Sequence, residues 1–370
     1  MPAKSNNLGS FISKQINKKI RLDREWYSLR SILGYSWAML FFLLGGREVG
    51  KSYAVTDFFV HQWKTKGRPF YWLRLTDTSA AKLLMNGAEK LIDPDIRRRY
   101  NLDLVTVGDQ VYEVTKRGKQ KEDGTKGKIL EKKLMARVLA LNTFYNDKGS
   151  GLFDKDFLND PNMYYNICLD EMNREMNERN TFDIVYAFAN QIENIVRSTK
   201  KRIRVICIGN TLEEASDLLT SINFIPETFG RFKLKSKRAV VEYIQPGERY
   251  LSRRKGTIAD IISGQSSTFT NKIDVDRTLV SKMRLRKPSY IIAFTATDKF
   301  TVWDSNVVAP YNGEKGQRVI AMRPYIDGTL FEAKARDTVI NLFDTRSYRF
   351  RNLVTQKIFK KNLALLKPRK

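Results

Sequence analysis

The sequence predicts an α/β fold built around a mainly parallel sheet, and three observations support that prediction. Short apolar runs alternate with amphipathic stretches long enough for helices of ~10–15 residues, which is the pattern of strands covered on both faces. A glycine-rich segment follows the first strong apolar run and precedes an amphipathic stretch, as in a strand-to-helix turn. The chain has 370 residues, which is enough for two or three domains.

The predicted elements follow one another as strands and helices through the first part of the chain. The N-terminal 30 residues are polar and basic, and we expect a basic arm or a short helix around 23–29. Predicted strands cover residues 38–44, 70–75, 164–169 and 204–208, and predicted helices cover 51–64, 79–91 and 181–196. Residues 104–107, 111–115 and 134–141 resemble a small antiparallel unit around a polar loop, 116–133, that is rich in lysine and glycine.

The later residues predict two further regions. Residues 211–250 combine a helix at 213–221 with short strand-like pieces, among which lie Pro226, Gly230, Pro246 and Gly247; this pattern is typical of a connector. Beyond them, 290–295 and 299–303 form a hairpin pattern, 319–323 reads as a strand, and the last 30 residues are helical and basic. The predicted domains are therefore residues 1–210, a small linker domain at 211–250 and a basic C-terminal domain at 251–370.

The charge of the chain indicates a polyanionic partner. The formal net charge is +26, and residues 231–370 hold 30 basic but only 12 acidic side chains. An excess of this size is typical of proteins that contact nucleic acid or an anionic membrane surface. Because about two-thirds of it lies in the last 140 residues, we expect a separate C-terminal domain that faces a polyanion.

Composition also excludes several kinds of site. The single histidine, His61, rules out a histidine-rich zinc site and disfavours a histidine-based catalytic triad. Cys168 and Cys207 lie inside apolar runs and read as buried thiols rather than as a disulfide or a metal site. The apolar stretch 32–44 is too short to span a bilayer. We therefore expect a soluble protein without a membrane partner.

The strongest motif is the octapeptide GGREVGKS. In such a segment the glycines let the backbone curl so that successive N–H groups bind the β- and γ-phosphates of a nucleotide. The lysine supplies positive charge, the serine ligates magnesium, and the helix that follows offers its positive end. The predicted nucleotide-binding residues are Gly45, Gly46, Arg47, Glu48, Val49, Gly50, Lys51 and Ser52.

A second motif, NICLDE, is an apolar strand that ends in two carboxylates about 120 positions after Ser52. We expect Asp170 to hold magnesium through Ser52 or through water, and Glu171 to polarise the water that attacks the γ-phosphate. GTPases and small-molecule kinases seldom carry the second carboxylate. The pair therefore favours hydrolysis of ATP coupled to motion, with ATP and Mg²⁺ as the ligands of the site.

A third motif, RVICIGN, is an apolar strand that ends in Asn210. Asn210 is predicted to be a sensor that hydrogen-bonds the attacking water or the γ-phosphate. A subunit that completes its neighbour's site needs an exposed arginine, and Arg197 is the first choice by position. Arg202, Arg204 and Lys148 stay open as alternatives for a contribution from the neighbouring subunit, and Arg47 could act within its own subunit.

In this order and spacing, the motifs resemble the DNA-packaging ATPases of phi29-like podoviruses, which are short-tailed bacteriophages. The resemblance is closest in GGREVGKS, NICLDE and NIVRSTKKRIRVICIGN, and it extends more faintly into SYIIAFTATDKFTVWD. It implies an ASCE P-loop ATPase domain related to the FtsK/HerA translocases, with a mainly parallel sheet and flanking helices. It also implies a short linker domain and a C-terminal α/β domain of RNase H-like fold that has lost its nuclease residues.

The same resemblance implies the partners and the residue roles. Such proteins form a ring, typically of five subunits, on the portal of a procapsid in the host cytoplasm and drive double-stranded DNA inward; a packaging RNA is left open as a partner. Carried over by position, Lys51 contacts phosphate, Ser52 and Asp170 hold magnesium, Glu171 and Asn210 act in catalysis and sensing, and Arg197 and Lys148 act in the neighbouring subunit's site.

Three alternatives remain open at the level of the sequence. One is a non-viral DNA translocase similar to HerA and FtsK, and another is a nucleic-acid-binding scaffold that only senses nucleotide. The third is a large terminase with an active nuclease, to which Asp274, Asp276, Asp298 and Asp304 could contribute. The predicted first strand of the C-terminal domain, 290–295, contains no carboxylate, which argues against the nuclease.

Overall fold

The chain forms two compact units. One consists of Met1–Glu213 and Pro226–Asp274, and the other of Glu214–Ile225 and Val275–Lys370. A computed structural model describes residues 26–120, 126–147, 160, 164–174, 182–196, 202–210, 216–263, 278–324, 326 and 328–366.

A nine-stranded sheet forms the centre of the first unit, in the order β3-β4-β5-β2-β6-β7-β1-β9-β8. Its strands are β1 (Leu40–Leu44), β2 (Phe70–Arg74), β3 (Leu104–Val107), β4 (Gln110–Arg117), β5 (Ile129–Ala140), β6 (Tyr165–Asp170), β7 (Ile203–Gly209), β8 (Gly230–Leu234) and β9 (Ala239–Tyr243). The six strands from β5 to β9 in the sheet order run parallel to their neighbours. Antiparallel pairs add β4 and β3 at one edge and β8 at the other.

Helices connect or follow these strands along the chain. They are α1 (Arg30–Leu33), α2 (Lys51–Lys66), α3 (Asp77–Ala88), α4 (Pro94–Arg99), α5 (Ile184–Val196), α7 (Glu248–Arg254) and α8 (Ile258–Ser263); α6 (Asp217–Ser221) belongs to the second unit. All six residues of β6 are buried, as expected for a strand covered on both faces. The predicted α/β fold with a mainly parallel sheet is confirmed.

The order of the central strands positions the carboxyl-edge residues. Strand β7 lies between β1 and β6 and is parallel to both. The segments that follow these three strands therefore leave the sheet at the same edge, where ligands bind in open α/β sheets.

Strands extend into both ends of the basic segment at 116–133, which the sequence predicted to be a loop. Strand β4 continues to Arg117 and β5 already begins at Ile129. The second half of β5 is mostly buried and pairs with β2, whereas its first half is mostly exposed and pairs only with β4. The antiparallel hairpin is thus one end of the main sheet rather than a separate small unit.

The residues that the sequence assigned to a linker divide between the two units. Strand β9 pairs with β1 over its whole length, and β8 pairs with β9. Because β9 is mostly buried, its apolar side chains pack into the core of the first unit. Residues Glu214–Ile225, which contain α6, cluster instead with the second unit.

The second unit has a five-stranded sheet in the order β13-β10-β11-β12-β14. Strands β10, β11 and β12 are antiparallel neighbours, and β13 runs parallel to β10. The bounds are β10 (Pro288–Ala293), β11 (Lys299–Trp303), β12 (Val307–Pro310), β13 (Arg318–Ala321) and β14 (Arg349–Phe350), with α9 (Ala333–Asp344) and α10 (Leu353–Ala364). The hairpin predicted between 290 and 303 is present, and so is a strand within the predicted 319–323 region. The last 30 residues, which were predicted to be helical, also contain the short strand β14.

The core of the second unit centres on Phe359 of α10. Its side chain is fully buried, and its ring centroid lies 5.3 Å from that of Phe294, 5.2 Å from that of Phe300 and 5.4 Å from that of Phe350. Each of these separations lies within the favourable range for aromatic pairs. Helix α10 is thereby fixed to the sheet of its unit.

Replacing this ring tests that packing. We expect Phe359→Ala to lower the free energy of unfolding of the second unit by about 3–5 kcal/mol, because it removes aromatic contacts and leaves a cavity. Chemical denaturation monitored by circular dichroism measures the change. Tyr311→Ala, at an exposed aromatic position of the same unit, should shift it by less than about 1 kcal/mol. Equal unfolding curves for the two variants would contradict the packing described.

Candidate active site

The carboxyl ends of the central strands open into one cavity of about 680 Å³. Its lining includes the glycine-rich loop after β1, the ends of β2 and β6 and the residue after β7, together with residues from α3 to α4. The predicted site residues among them are Arg47, Glu48, Val49, Gly50, Lys51, Ser52, Asp170, Glu171 and Asn210. The three motifs, which are far apart in sequence, therefore meet in one place.

The loop between β1 and α2 adopts the curled backbone that its glycines predicted. Glu48 has a φ of +62° and Gly50 a φ of +90°, both in the left-handed region. A Cβ atom at Gly50 would lie 3.3 Å from Cε3 of Trp26, so a larger residue would be strained and crowded there. The backbone conformation and the neighbouring indole together favour glycine at this position.

Lys51 lies at the first turn of α2 and is buried. Its Nζ donates hydrogen bonds to the carbonyl oxygens of Gly45, at 2.8 Å, and Gly46, at 2.7 Å. Burial lowers the pKa of Lys51 to about 8, although the nearby Asp170 carboxylate acts in the opposite direction. An anion in the cavity would favour the charged ammonium, so this lysine is suited to binding phosphate.

Ser52 and Asp170 join the first two motifs. The Ser52 hydroxyl donates to Oδ1 of Asp170 at 3.1 Å. Asp170 is the last residue of β6 and is buried. Burial raises its pKa, Glu171 acts in the same direction, and Arg74, Ser52 and Lys51 oppose the increase. The hydroxyl and carboxylate oxygens are hard ligands of the kind that Mg²⁺ prefers.

Glu171 follows Asp170 in a left-handed backbone conformation, with a φ of +60°. The next residue, Met172, donates its N–H to the carbonyl oxygen of Ile208 in β7 at 2.9 Å. Residues other than glycine seldom adopt this φ, and strained residues of this kind cluster at functional sites. The Glu171 side chain is 54% exposed, so its carboxylate can contact water in the cavity.

Arg74 is a site residue that the sequence analysis missed. It ends β2, next to β6, and its guanidinium pairs with both carboxylates: Nη2 lies 3.3 Å from Oδ2 of Asp170, and Nη1 contacts Oε2 of Glu171. Burial acts to lower the pKa of Arg74, but the two carboxylates outweigh it and the pKa is raised. The signal in the sequence was an arginine at the end of the apolar strand FYWLR. It could be interpreted only once β2 was known to adjoin β6.

Helix α4 forms another wall of the cavity, which the sequence also did not predict. The Tyr53 hydroxyl donates to Oδ2 of Asp95 at 2.6 Å, and Arg99 donates to the same oxygen at 2.6 Å. Arg99 also donates to Asp57 of α2 at 2.9 Å. These contacts attach α4 to the helix that begins with Lys51.

The residues expected to act on a neighbouring subunit are placed as follows. Lys148 and Arg197 lie outside the described residues. Arg204 lies near the start of β7, at the sheet edge opposite Asn210, where its guanidinium contacts the rings of Tyr164 and Phe58 and donates to Oδ1 of Asn166 at 3.2 Å. Arg204 thus has a packing role within its own subunit.

Comparison with known proteins agrees with the fold and with the resemblance stated above. No protein-family model matches the chain. The chain is 23% identical over 242 residues to the DNA packaging proteins of the Bacillus phages PZA and phi29. The match covers 65% of this chain and 62% of each relative. The aligned part therefore spans less than two-thirds of the length of these relatives. The predicted resemblance to phi29-like packaging proteins is confirmed.

Two solved structures share the fold over nearly the whole chain. One is the Phi-28 gp11 DNA packaging motor, with a TM-score of 0.59 and 16% identity over 94% of this chain and 99% of that one. The other is the bacteriophage Phi-29 viral genome packaging motor assembly, with a TM-score of 0.62 and 18% identity over 93% of this chain and 100% of that one.

Within the described ranges, none of the helices has the length and apolar character that a bilayer-spanning helix requires.

The pKa of Lys51 makes phosphate binding pH-dependent. Because that pKa is about 8, the lysine is largely protonated at pH 7 and largely neutral at pH 9. A bound anion favours the charged ammonium and so raises the pKa of Lys51. Binding of a nucleoside triphosphate must then take up a proton above pH 8. We expect affinity to fall by up to about tenfold per pH unit in that range, as measured by equilibrium titration.

Lys51→Arg is the matched control, since arginine stays protonated over the same range. The affinity of that variant, even if weaker overall, should not depend on pH between about 7 and 9. An equally flat profile for the native chain would mean that Lys51 is already fully charged.

Proposed function

We propose that this chain is the ATPase subunit of a viral DNA-packaging motor, which hydrolyses ATP and moves double-stranded DNA into a procapsid. The observation that carries the proposal is the contact between Ser52 and Asp170 beside Glu171, at the mouth of a curled loop that contains Lys51. The similarity to phage DNA packaging proteins supports the process in which this chemistry is used.

The residues of the loop provide the contacts that a nucleoside triphosphate needs. The charged Lys51 and the inward N–H groups of the loop would bind its phosphates, and α2 begins at the same point. Ser52 and Asp170 would hold Mg²⁺, which when bound neutralises charge on the β- and γ-phosphates. The structure offers both oxygen atoms 3.1 Å apart, so only a small adjustment is needed for both to reach one ion.

Hydrolysis then depends on two residues at the ends of β6 and β7. The Glu171 carboxylate, oriented by Arg74, accepts a proton from the attacking water. Asn210 lines the same cavity from the strand between β1 and β6. Its amide can hydrogen-bond the water or the γ-phosphate and so transmit loss of phosphate to the chain that follows.

The complete motor, in this proposal, is a ring, with five subunits as in phi29-like motors, on the portal of a procapsid in the host cytoplasm. Arg197 of one subunit would stabilise charge on the γ-phosphate in the next, and Lys148 would assist. The net charge of +26 supports non-specific contact with the phosphates of DNA, or with a packaging RNA. The second unit, in which we propose an RNase H-like arrangement, would serve binding and assembly.

ATP hydrolysis stimulated by double-stranded DNA is the measurement that tests this proposal. The native chain should show it, and Glu171→Gln should retain ATP binding while losing about a hundredfold or more in turnover, because the amide cannot accept the proton. Glu131→Gln, at an exposed position on β5, is the matched control and should behave as the native chain does. Normal turnover in Glu171→Gln would remove Glu171 from the mechanism.

Mixing experiments test whether the neighbouring subunit contributes an arginine. Arg197→Ala alone should lose about a thousandfold or more in turnover. Mixed with Glu171→Gln it should regain activity, because some interfaces then combine an intact Glu171 from one subunit with an intact Arg197 from the other. The DNA-stimulated rate as a function of mixing ratio measures this effect, and a mixture no more active than its components would show that Arg197 does not act between subunits.

A further inference from the structure

Hydrogen-bond donors outside the phosphate-binding loop can fix the direction in which the N–H groups of the loop point. In a trans peptide, the carbonyl of one residue and the N–H of the next lie in one plane and point in opposite directions. Donors that hold successive carbonyls on the outer side of a loop therefore turn the following N–H groups to its inner side. Such a loop is ready for an anion before the anion arrives.

Three successive carbonyl groups of this loop are held in that way. The carbonyl oxygen of Arg47 accepts from the Tyr250 hydroxyl at 2.8 Å and from Arg254 at 3.2 Å. The carbonyl oxygen of Glu48 accepts from Arg253 at 3.2 Å. The next carbonyl oxygen, that of Val49, accepts from the backbone N–H of Tyr27 at 2.8 Å.

These contacts fix the three peptide N–H groups that follow, those of Glu48, Val49 and Gly50. They differ in kind from the bonds that Lys51 makes to Gly45 and Gly46. An incoming phosphate competes for the ammonium of Lys51, but it does not compete for donors outside the loop. The outer contacts can therefore persist when the cavity is occupied.

The donors on α7 are themselves rigidly placed. Tyr250 and Arg254 are 1% and 5% exposed, respectively. Arg254 donates to the Tyr250 hydroxyl oxygen at 2.6 Å, so the single hydroxyl hydrogen remains available for the carbonyl of Arg47. The guanidinium carbon of Arg253 lies 4.2 Å from the ring centroid of Trp26, the side chain that packs against Gly50.

We propose that Tyr250, Arg253 and Arg254 of α7 are positioning residues that preorganise the loop for the triphosphate of a nucleotide. This inference rests on the proposed function, because the N–H groups that these residues orient belong to the proposed nucleotide site. A preorganised array of N–H groups binds an anion more tightly than one that must first be ordered. Loss of these donors weakens nucleotide binding although none of them contacts the nucleotide.

The test is equilibrium binding of a fluorescent ATP analogue with Mg²⁺, which does not depend on turnover. Tyr250→Phe keeps the ring and removes one donor, and we expect affinity to fall about fivefold. Arg254→Met keeps an apolar stem and removes two contacts, with an expected loss of about tenfold or more. Arg254→Lys, which restores one donor, should lie between Arg254→Met and the native chain.

Tyr348→Phe is the matched control, since it removes a buried hydroxyl that bonds to the Tyr290 hydroxyl at 2.8 Å in the second unit. It should bind the analogue as tightly as the native chain. The α7 variants should also raise KM for ATP more than they lower kcat, because the donors act on binding rather than on the attacking water.

The outcomes separate this inference from the proposed function. If the native chain binds the analogue and the α7 variants bind equally well, the positioning role is wrong while the proposed function stands. If the native chain does not bind the analogue at all, both fall. A graded loss of affinity across the α7 variants, with Tyr348→Phe unchanged, supports the positioning role.

Discussion

Strands β1, β7 and β6 lie side by side in parallel register, and the geometry of the site depends on this arrangement. In that register Leu44 is opposite Gly209, and Asp170 is opposite Ile208. The loop after β1, the carboxylates at the end of β6 and the residue after β7 therefore lie at one level of the sheet edge. The hydrogen bond between Ser52 and Asp170 joins residues 118 positions apart. Because β7 is hydrogen-bonded to both β1 and β6, it holds the two strands in the register that brings Ser52 and Asp170 together.

A second constraint is the balance of buried charge at this edge. Lys51, Asp170 and Arg74 are largely removed from water, and each isolated charge would be costly there. They offset one another: Asp170 opposes the effect of burial on Lys51, while Arg74 opposes its effect on Asp170. The charges of the site therefore depend on one another, and an ion that enters the cavity acts on this balance.

The local parts of this site could be predicted from the sequence. The curl of GGREVGKS follows from its glycines, and the two carboxylates at the end of β6 follow from an apolar run that stops at Asp170. Arg74 and α7 could not be predicted in this way. Arg74 reaches both carboxylates only because β2 adjoins β6, and Tyr250 reaches Arg47 across 203 positions. Neither residue lies in a segment whose own pattern identifies its partner.

By itself, the sequence determined most strands and helices around the site, which loop can surround phosphates and which strand ends carry acidic groups. These features depend on backbone preference and burial within short stretches of residues. The tertiary structure decided which strands are neighbours. It placed β7 between β1 and β6, added β9 to the first sheet although its residues resembled a connector, and assigned Glu214–Ile225 to the second unit. Several pairings satisfy the same apolar pattern, and the choice among them depends on packing over long separations.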